Sequence, residues 1–472
     1  MKFKKFTPEM LKDAHITVLR ELGRQLGVKA PAAKYKDQLI NEIIAIQTGN
    51  LTPTEPNKKG APTKIKVDLT EFIESENDFE DKPYIVEPYE NPIFKDSACG
   101  ESVMEGVLEQ HVSGYGFLRS NNYESSKRDA YVSQANIKKY NLRRGDKVTA
   151  RVKIIKEESS PAVQEILSIN DLDPNLFLKR TNFDDLIPYY PTRRIKLESL
   201  DNENSLAIRC IDMFAPLGLG QRGLIVAPPK TGKTSLLKMI ASSIESNYKD
   251  IKLIVLLIDE RPEEVTDIKR SINGEVVFST FDESPEHHIR AAELVVNRAK
   301  RLVEVGQDVI ILMDSITRLA RAYNSVVESS GKTLSGGIDP NALQGPKRFF
   351  GSARNIENGG SLTILSTALI ETGSRMDDVI YEEFKGTGNM EIHLSRELSE
   401  KRIFPAIDLY KSGTRKEELL LTNDELLASF KLRKILLDKS DSTDNLLEMM
   451  KKTKNNADLI SKLDAWLKIY GK

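Results

Sequence analysis

The octapeptide APPKTGKT, residues 227–234, has the residue types and spacing of a phosphate-binding loop, with Ala227 in place of the usual first glycine. In such a loop, backbone N–H groups and the start of the following helix hold phosphates, and Gly232 lets the backbone approach closely. Lys233 would reach the β- and γ-phosphates, and the Thr234 hydroxyl would ligate Mg²⁺. An apolar run precedes the loop and an amphipathic run follows it, which favours a nucleotide site over a chance GKT in a turn.

Two acidic positions follow apolar runs further along the chain. The run DVIILMD has the Walker B arrangement, and its last residue, Asp314, would orient the Mg²⁺ shell. Another run, at 253–258, is followed by Asp259, Glu260 and Arg261. A carboxylate at the end of a strand beside the phosphate loop can polarise an attacking water. We therefore expect Glu260 to be the general base, with Arg261 near the γ-phosphate; a solvent-exposed acid–base cluster at a strand end is an equal alternative.

The hexapeptide GYGFLR, residues 114–119, is typical of the cold-shock-like strand of an OB fold. Tyr115 and Phe117 are two residues apart, so both project from one face of a strand. The glycines leave space for flat bases, and each stacked base would contribute about 1–3 kcal/mol. Asp129 and Tyr131, on the next predicted strand, would read and stack a base edge. An aromatic pair packed in a core is the alternative.

Length and composition bound the class of protein. The chain has 472 residues, 39% hydrophobic and 29% charged, so two to four domains are expected. No apolar run approaches the roughly 18–20 residues of a membrane span, so no membrane partner is expected. Two cysteines, Cys99 and Cys210, argue against a disulfide scaffold or zinc module and predict a cytoplasmic location.

The net charge of −1 averages over opposing blocks. Residues 1–36 carry nine basic and three acidic side chains. Residues 51–98 carry six basic and eleven acidic side chains, and residues 127–156 carry ten basic and two acidic side chains. The last surplus favours a nucleic-acid partner for the barrel. A solvated basic arm and a nucleic-acid contact are equal interpretations of the first block. The acidic block would compete with RNA for the basic faces.

Pattern changes along the chain define five segments. Residues 1–48 predict a small helical domain, because Leu19, Leu22 and Leu26 recur at helical spacing before Gly27. An acidic, proline-containing linker at 49–98, an OB-fold domain at 99–171, a connector at 172–206 and an α/β domain with C-terminal helices at 207–472 follow. Near-continuous apolar runs predict parallel strands buried on both faces of a sheet; these runs are 223–226, 252–258, 308–313 and 361–368.

Long segments of the chain closely resemble the bacterial transcription termination factor Rho family. They include GQRGLIVAPPKTGKTSLLKMIA, LLIDERPEEVTDIKR, DVIILMDSITRLARAYN and SGTRKEELL, and the likeness is near-continuous from about 207 to 435. The resemblance implies an α/β RecA-like P-loop ATPase core, preceded by a small all-β OB-fold (cold-shock-like) RNA-binding domain and a short N-terminal helical domain. It also implies a homohexameric, RNA-dependent ATPase and 5′-to-3′ RNA–DNA helicase. Its cofactors would be ATP and Mg²⁺. Its partner would be single-stranded RNA, the nascent transcript, with RNA polymerase and elongation factors as further candidates.

The resemblance also assigns roles to single residues. Glu260 matches the catalytic glutamate, Arg415 the arginine finger donated by a neighbouring subunit, and Arg402 a second trans arginine. From the sequence alone, Arg415 equally fits a helix cap or a solvated side chain. The nucleotide would be bound by Gly218, Leu219, Gly220, Gln221, Arg222 and Gly223 beside the phosphate loop, and by Lys230, Thr231, Gly232, Lys233, Thr234, Ser235 and Arg261. Mg²⁺ would be held by Thr234 and Asp314. RNA would be bound in the barrel by Gly114, Tyr115, Gly116, Phe117, Leu118, Arg119, Asp129, Ala130 and Tyr131.

Two loops would face the central channel of a ring, SGKTLSGGI at 330–338 and ETGSRM at 371–376. Glycine and serine give mobility, and Lys332, Thr333 and Arg375 would contact RNA. Arg375 stands where the family usually has lysine, so a planar fork replaces a point charge. Ordinary turn chemistry is the alternative for both loops.

One part of the barrel departs from the family pattern. The segment IIKEESSPA, residues 154–162, lacks the aromatic side chain expected near Pro161. We therefore expect single-stranded RNA binding to persist with a weaker preference for cytosine.

Three hypotheses about function use these residues. The first is an ATP-driven RNA translocase that terminates transcription, and the second is an RNA-binding regulator whose ATP site is an assembly switch. The presence of Glu260, Lys233 and Arg415 favours the motor over the switch. The third is a RecA-like DNA helicase or a rotary ATP synthase subunit, which the aromatic barrel and the two channel loops disfavour.

Overall fold

The computed structural model describes residues 11, 16–30, 34–47, 51, 94–95, 101–153, 160–199, 205–436 and 442–470. The chain separates into two compact units, Met1–Pro88 and Tyr89–Lys472. In the first unit, helices α1 (Ile16–Leu26) and α2 (Lys36–Gln47) pack through buried leucine and isoleucine side chains. The predicted N-terminal helices are confirmed. The predicted acidic linker lies outside the described residues, apart from Leu51 and a two-residue strand.

The second unit begins with a small barrel. Its strands are β1 (Phe94–Lys95), β2 (Glu101–Gln110), β3 (Gly116–Arg119), β4 (Ala130–Val132), β5 (Lys147–Lys153) and β6 (Ala162–Ile169). They pair in the order β1-β2-β3-β4-β6-β5, and an additional β2–β5 pairing closes the barrel. Short helix α3 (Gln134–Lys139) follows β4, and the Ser133 side chain caps it by accepting from the Asn136 N–H. The predicted small barrel is confirmed.

A nine-stranded sheet forms the core of the remainder. Its strands and the pair beside it are β7 (Pro188–Tyr189), β8 (Arg194–Ile195), β9 (Leu217–Gly218), β10 (Arg222–Ala227), β11 (Lys252–Glu260), β12 (Glu275–Thr280), β13 (Asp308–Asp314), β14 (Arg354–Ile356), β15 (Ser361–Leu369), β16 (Met390–Leu394) and β17 (Ile407–Thr414). The main path is β12-β11-β13-β15-β10-β16-β17, parallel except for antiparallel β17. The four predicted strands are confirmed as β10, β11, β13 and β15, because both faces of these strands are covered and select apolar residues throughout.

Helices cover both faces of this sheet. They are α4 (Leu206–Phe214), α5 (Lys233–Asn247), α6 (Pro262–Ser271), α7 (Pro285–Val303), α8 (Ile316–Val326), α9 (Gln344–Gly351), α10 (Arg375–Lys385), α11 (Arg396–Glu400), α12 (Asn423–Leu436), α13 (Ser442–Lys451) and α14 (Asn456–Tyr470). None of the helices in the described parts of the chain is both long and apolar enough to span a membrane.

The parallel strands give the sheet two functionally different edges. We call the edge where these strands end the carboxyl edge, and the edge where they begin the amino edge. Ala227, Glu260 and Asp314 each end a parallel strand. They therefore meet at the carboxyl edge, where ligands bind in open α/β sheets.

The barrel packs on the outer strand of this sheet, β12. The Asn122 side chain donates to the Phe278 carbonyl at 2.8 Å and accepts from its N–H at 2.9 Å, as a neighbouring strand would. Tyr123 donates to Glu275. Arg290 of α7 binds both carboxylate oxygens of Glu109 in β2, each at 2.8 Å. These contacts fix the barrel to the α/β domain.

Candidate nucleotide and RNA sites

The phosphate-binding loop joins β10 to α5. Gly232 has a φ of 87°, and a Cβ there would meet nothing within 4 Å, so its role is conformational. The Thr231 hydroxyl donates to the Pro228 carbonyl at 2.7 Å and pins the loop from inside. The first N–H groups of α5 are thus presented at the carboxyl edge, which is the geometry that binds phosphate.

Lys233 lies between the two predicted acidic residues. Its Nζ is 2.9 Å from Glu260 Oε1 and 2.6 Å from Asp314 Oδ2. The Thr367 hydroxyl donates to the other Asp314 oxygen at 2.6 Å. The fold therefore brings together the lysine, the expected general base and the expected magnesium ligand from three separate segments.

Three residues of this site were missed by the sequence analysis. Glu264 Oε2 accepts from the Thr234 hydroxyl at 3.2 Å, and Thr367 orients Asp314. Arg318, in the first turn of α8, binds Asp259 at 2.6 Å and lies 3.6 Å from Glu260 Oε2. Arg261 is exposed at the start of α6. The only signal for Arg318 was its position four residues after Asp314, which the strand-to-helix turn brings back over the site.

The electrostatics of the site raise the pKa of both Glu260 and Lys233, which favours a neutral carboxyl and a charged ammonium. Burial, and then the charge of Asp314, raise the pKa of Glu260 to about 7, although Lys233 opposes the shift. Burial disfavours the charge of Lys233, but Asp314 and Glu260 outweigh it and raise its pKa. A carboxylate with a pKa near neutrality is suited to accept a proton from water.

Hydrolysis is expected to decline as the pH falls through about 7. Below that pH the Glu260 carboxyl, whose pKa is about 7, is mostly protonated and cannot act as a base. A pH profile of kcat/KM for ATP from 5.5 to 8.5, at saturating RNA, measures this because kcat/KM reports the pKa of the free enzyme, and the expected fall approaches about tenfold per pH unit on the acid limb. A flat profile down to pH 5.5 would show that this carboxyl is not the base.

The two loops that were predicted to face a channel, 330–338 and 371–376, lie side by side; we keep the name channel loops for them. Gly336, with a φ of 78°, packs against the backbone of Arg375, and a Cβ there would be 2.8 Å from the Arg375 carbonyl oxygen. Lys332, Thr333 and Arg375 are exposed. Arg321 of α8 binds Asp377 at 2.7 Å, just after the second loop. Since Arg318 and Arg321 are one turn apart, α8 contacts the hydrolytic site and the loop base at once.

The segment 218–223 does not lie where the sequence analysis expected it. Gly223 pairs with Leu365 and Ala227 with Leu369, so this segment is at the amino edge and the phosphate loop at the carboxyl edge. Within one chain this segment does not lie beside Lys230–Ser235, because the length of β10 separates the two segments. Arg222 is close enough to Arg354 and Arg415 that, after burial, their charges lower its pKa.

The two predicted trans arginines lie at opposite edges. Arg415 follows antiparallel β17, and its N–H donates to the Asn389 carbonyl at 2.8 Å, at the amino edge. One strand of six residues, about 20 Å, separates it from the phosphate loop of its own subunit. Arg402 instead follows α11, whose Ser399 hydroxyl donates to the Lys230 carbonyl at 3.2 Å. Arg415 therefore lies too far from the phosphate loop of its own chain to reach a nucleotide bound there, whereas Arg402 lies near that loop.

Three aromatic rings form one surface on the barrel. Phe117 and Tyr131 are direct partners across β3 and β4. The Tyr115, Phe117 and Tyr131 centroids lie 5.7–5.9 Å apart in pairs. The exposed ring of His111, not expected from the sequence, stacks on Tyr115 with centroids 4.8 Å apart. A surface of rings with exposed edges fits flat bases.

Polar groups border this aromatic surface. Arg119 lies over Phe117, binds Glu109 at 2.7 Å and contacts Asp129. Asp129 is 1% exposed, and its Oδ1 has no hydrogen-bond partner within the described residues. Burial raises the pKa of Asp129. The Asp129 carboxylate therefore carries an unused acceptor close to Arg119, at the border of the aromatic surface.

Several predicted RNA residues act differently from expectation. Leu118 and Ala130 are buried, so their side chains face the barrel core and not RNA. A Cβ at Gly116 would lie 2.7 Å from Leu108 Cδ1, so this glycine permits close packing against β2 and does not make room for bases. Gly114, with a φ of 90°, serves the turn before β3.

The basic surplus of the barrel is partly neutralised. Four of its arginines and lysines form ion pairs within the unit, namely Arg143 with Glu304, Arg144 with Glu293, Lys147 with Asp171 and Arg151 with Glu165. The charge count from the sequence therefore overstated the positive surface. Lys127 and Arg128 are exposed immediately before Asp129 and supply positive charge next to the rings.

Family models divide the second unit in the same way as its architecture. Residues 207–414 match the nucleotide-binding domain of the ATP synthase alpha/beta family. Residues 104–175 match the Rho termination factor RNA-binding domain. A solved ATPase of the type III secretion system of pathogenic bacteria shares the fold, with a TM-score of 0.51 and 22% identity over 66% of this chain and 95% of that one. The class is therefore an ATPase of RecA-like fold joined to an RNA-binding barrel.

Curated relatives identify the family. Transcription termination factor Rho of Bacillus subtilis (strain 168) is 59% identical over 363 residues, 76% of this chain and 84% of the relative. The Neisseria gonorrhoeae factor is 54% identical over 75% of this chain and 86% of its own length. The Pseudomonas aeruginosa factor is 54% identical over 77% and 88%. The chain belongs to the transcription termination factor Rho family.

Proposed function

We propose that this protein is an RNA-dependent ATPase that moves along a nascent transcript and terminates transcription. The observation that carries the proposal is that one compact unit holds both the Lys233–Glu260–Asp314 site and the Tyr115–Phe117–Tyr131 surface. Its place of action would be the cytoplasm, with RNA polymerase and elongation factors as candidate partners. Helicase activity on RNA–DNA duplexes follows if translocation is 5′-to-3′.

The donors at the carboxyl edge fit ATP and Mg²⁺. Hydroxyl and carboxylate oxygens from Thr234, Asp314 and Glu264 are hard ligands of the type that Mg²⁺ prefers. Bound Mg²⁺ would neutralise charge on the phosphates. Lys233 would then leave the two carboxylates for the phosphates. Glu260 Oε2, buried and without a hydrogen-bond partner in the described parts, would orient and deprotonate the attacking water.

Helix α8 supports a dependence of hydrolysis on RNA. RNA held by Lys332 and Arg375 would change the position of the loops that Arg321 and Asp377 anchor. A shift of α8 would carry Arg318, which binds Asp259 and neighbours Glu260. This packed helix therefore connects the base of the second channel loop to the neighbours of the general base.

A homohexameric ring explains why functional groups lie at both edges. Arg222, Arg354 and Arg415 repel one another at the amino edge, where the pKa of Arg222 is lowered by burial and by the other two. The phosphates of a neighbour's nucleotide would relieve that repulsion. In this arrangement the segment 218–223 and Arg415 complete the site of the next subunit, and Arg402 contributes from the edge of its own phosphate loop.

Steady-state ATP hydrolysis with and without single-stranded RNA tests this function. We expect hydrolysis to be low alone and strongly stimulated by RNA. Equal stimulation by single-stranded DNA would favour a DNA helicase. Nucleotide-dependent assembly without RNA-stimulated turnover would favour the assembly switch.

RNA binding is expected to show a weak preference for cytosine. Ala162, not an aromatic residue, pairs with Tyr131, and the Pro161 carbonyl accepts from the Tyr131 N–H at 2.7 Å. The residues at 154–159 lie outside the described ones. Competition between poly(C) and poly(A) measures the preference, with an Ala162→Tyr variant expected to increase it. A strong poly(C) preference in the unmodified protein would contradict the expectation.

A further inference from the structure

The connector from the barrel packs against the turn that carries Arg415. Lys416, the next residue, has a left-handed φ of 57°. Its Nζ lies 3.5 Å from the centroid of the Tyr190 ring, which is a cation–π contact. A left-handed backbone is unfavourable for a residue with a β-carbon, so surrounding contacts must hold it.

Tyr190 is fixed independently of Lys416. Its carbonyl accepts from the Asn355 side chain at 3.1 Å. The preceding residue, Tyr189, pairs with Asn355 in β14, and the two tyrosine rings meet edge to face with centroids 6.4 Å apart. The backbone of Tyr190 is therefore anchored to the sheet, and the Tyr189 ring restricts the position of its side chain beside the turn.

The connector and the segment that follows the Arg415 turn both pack closely against Gly218. A Cβ there would lie 2.9 Å from Pro191 Cβ and 2.9 Å from Leu420 Cδ2. On the strand side, the Thr414 hydroxyl donates to the Pro216 carbonyl at 2.8 Å. The backbone around Arg415 is thus held from the strand side by Thr414 and from the connector side by Tyr190.

We propose that Tyr190 is a positioning residue for Arg415. Its ring holds Lys416, Lys416 holds the strained turn, and the turn aims the Arg415 guanidinium at the nucleotide of the neighbouring subunit. This inference rests on the proposed trans role of Arg415. It also gives the connector, which leaves the RNA-binding barrel, a direct mechanical contact with the hydrolytic machinery.

A Tyr190→Ala variant tests the proposal in the assembled protein. We expect kcat of RNA-stimulated hydrolysis to fall about 2- to 5-fold, the range of a solvent-exposed cation–π contact, with KM for ATP and native ring mass unchanged. Lys416→Met should reproduce this loss, whereas Tyr190→Phe, which keeps the ring, should retain kcat. Wild-type kcat in Tyr190→Ala, an equal loss in Tyr190→Phe, or loss of the ring mass would each overturn the proposal.

An Arg415→Ala variant separates this proposal from the proposed function. If Arg415→Ala is slow and Tyr190→Ala is not, only the positioning role is wrong. If Arg415→Ala keeps full turnover, the trans role is wrong and the positioning role with it. If both are slow, the double variant should be no slower than Arg415→Ala; a further loss would mean that Tyr190 acts elsewhere.

Discussion

A Glu260→Gln variant is expected to bind ATP and RNA but to hydrolyse ATP about 10²–10⁴-fold more slowly, the usual contribution of a general base. The amide keeps the shape of the side chain and cannot accept the proton of the attacking water. Glu260 is 2% exposed and 2.9 Å from Lys233, so its carboxylate lies inside the site next to the lysine that would bind the phosphates. Single-turnover hydrolysis and binding of a fluorescent nucleotide measure the two effects separately.

The free energy of unfolding of the Glu260→Gln variant is the control that separates loss of the base from misfolding. The raised pKa of Glu260, from 4.5 to about 7, means that the folded state binds more protons than the unfolded chain between these values. Wild-type stability is therefore lost as pH rises from about 4.5 through 7, and Glu260→Gln avoids this loss. The variant should be more stable than wild type at pH 8, by on the order of 1–3 kcal/mol. Lower stability at pH 8 together with low turnover would point to misfolding.

An Arg415→Ala variant is expected to lose about 10³–10⁵-fold in kcat, as for other arginines supplied in trans, with nucleotide binding largely intact. Arg415 is at the amino edge and Lys233 at the carboxyl edge of the same sheet. A subunit therefore cannot place its arginine in its own site. The loss should appear in kcat because the guanidinium stabilises charge that develops in the transition state.

Mixed rings give this prediction its sharpest form. Arg415→Ala subunits keep an intact phosphate loop, and Lys233→Ala subunits keep an intact arginine. Co-assembled, they create competent sites between unlike neighbours, so mixing two inactive proteins should restore activity. A double variant, Lys233→Ala/Arg415→Ala, is the matched control and should rescue neither partner. Failure to complement, with mixed rings verified by native mass, would rule out the trans arrangement.

The local sequence pattern was sufficient to predict much of the hydrolytic site. The phosphate loop and the acids that end β11 and β13 each follow a buried apolar strand, so their meeting at one edge follows from parallel strand order. Arg318, Glu264 and Thr367 could not be found in this way. Arg318 and Glu264 lie in the first turns of two helices, and Thr367 lies on a neighbouring strand. These residues reach the site only through the tertiary packing of those elements.

Sequence reasoning failed where long-range pairing decides the outcome. The segment 218–223 is close to the phosphate loop along the chain, yet β10 places it at the opposite edge. The basic surplus of the barrel was a count along the sequence, whereas its arginines pair with acids of α7 and its C-terminal turn. A glycine at position 116 is compatible with a surface on which bases stack. In the structure, however, Gly116 is needed for close packing against Leu108 of β2.

The most direct test of an RNA motor is strand displacement. An RNA annealed to a labelled DNA strand, with a long single-stranded RNA segment 5′ of the duplex, is incubated with the protein and ATP. We predict release of the DNA strand that requires hydrolysis, fails with Glu260→Gln and fails when the single-stranded segment lies 3′ of the duplex. RNA-stimulated ATP hydrolysis without release of the DNA strand would contradict the motor.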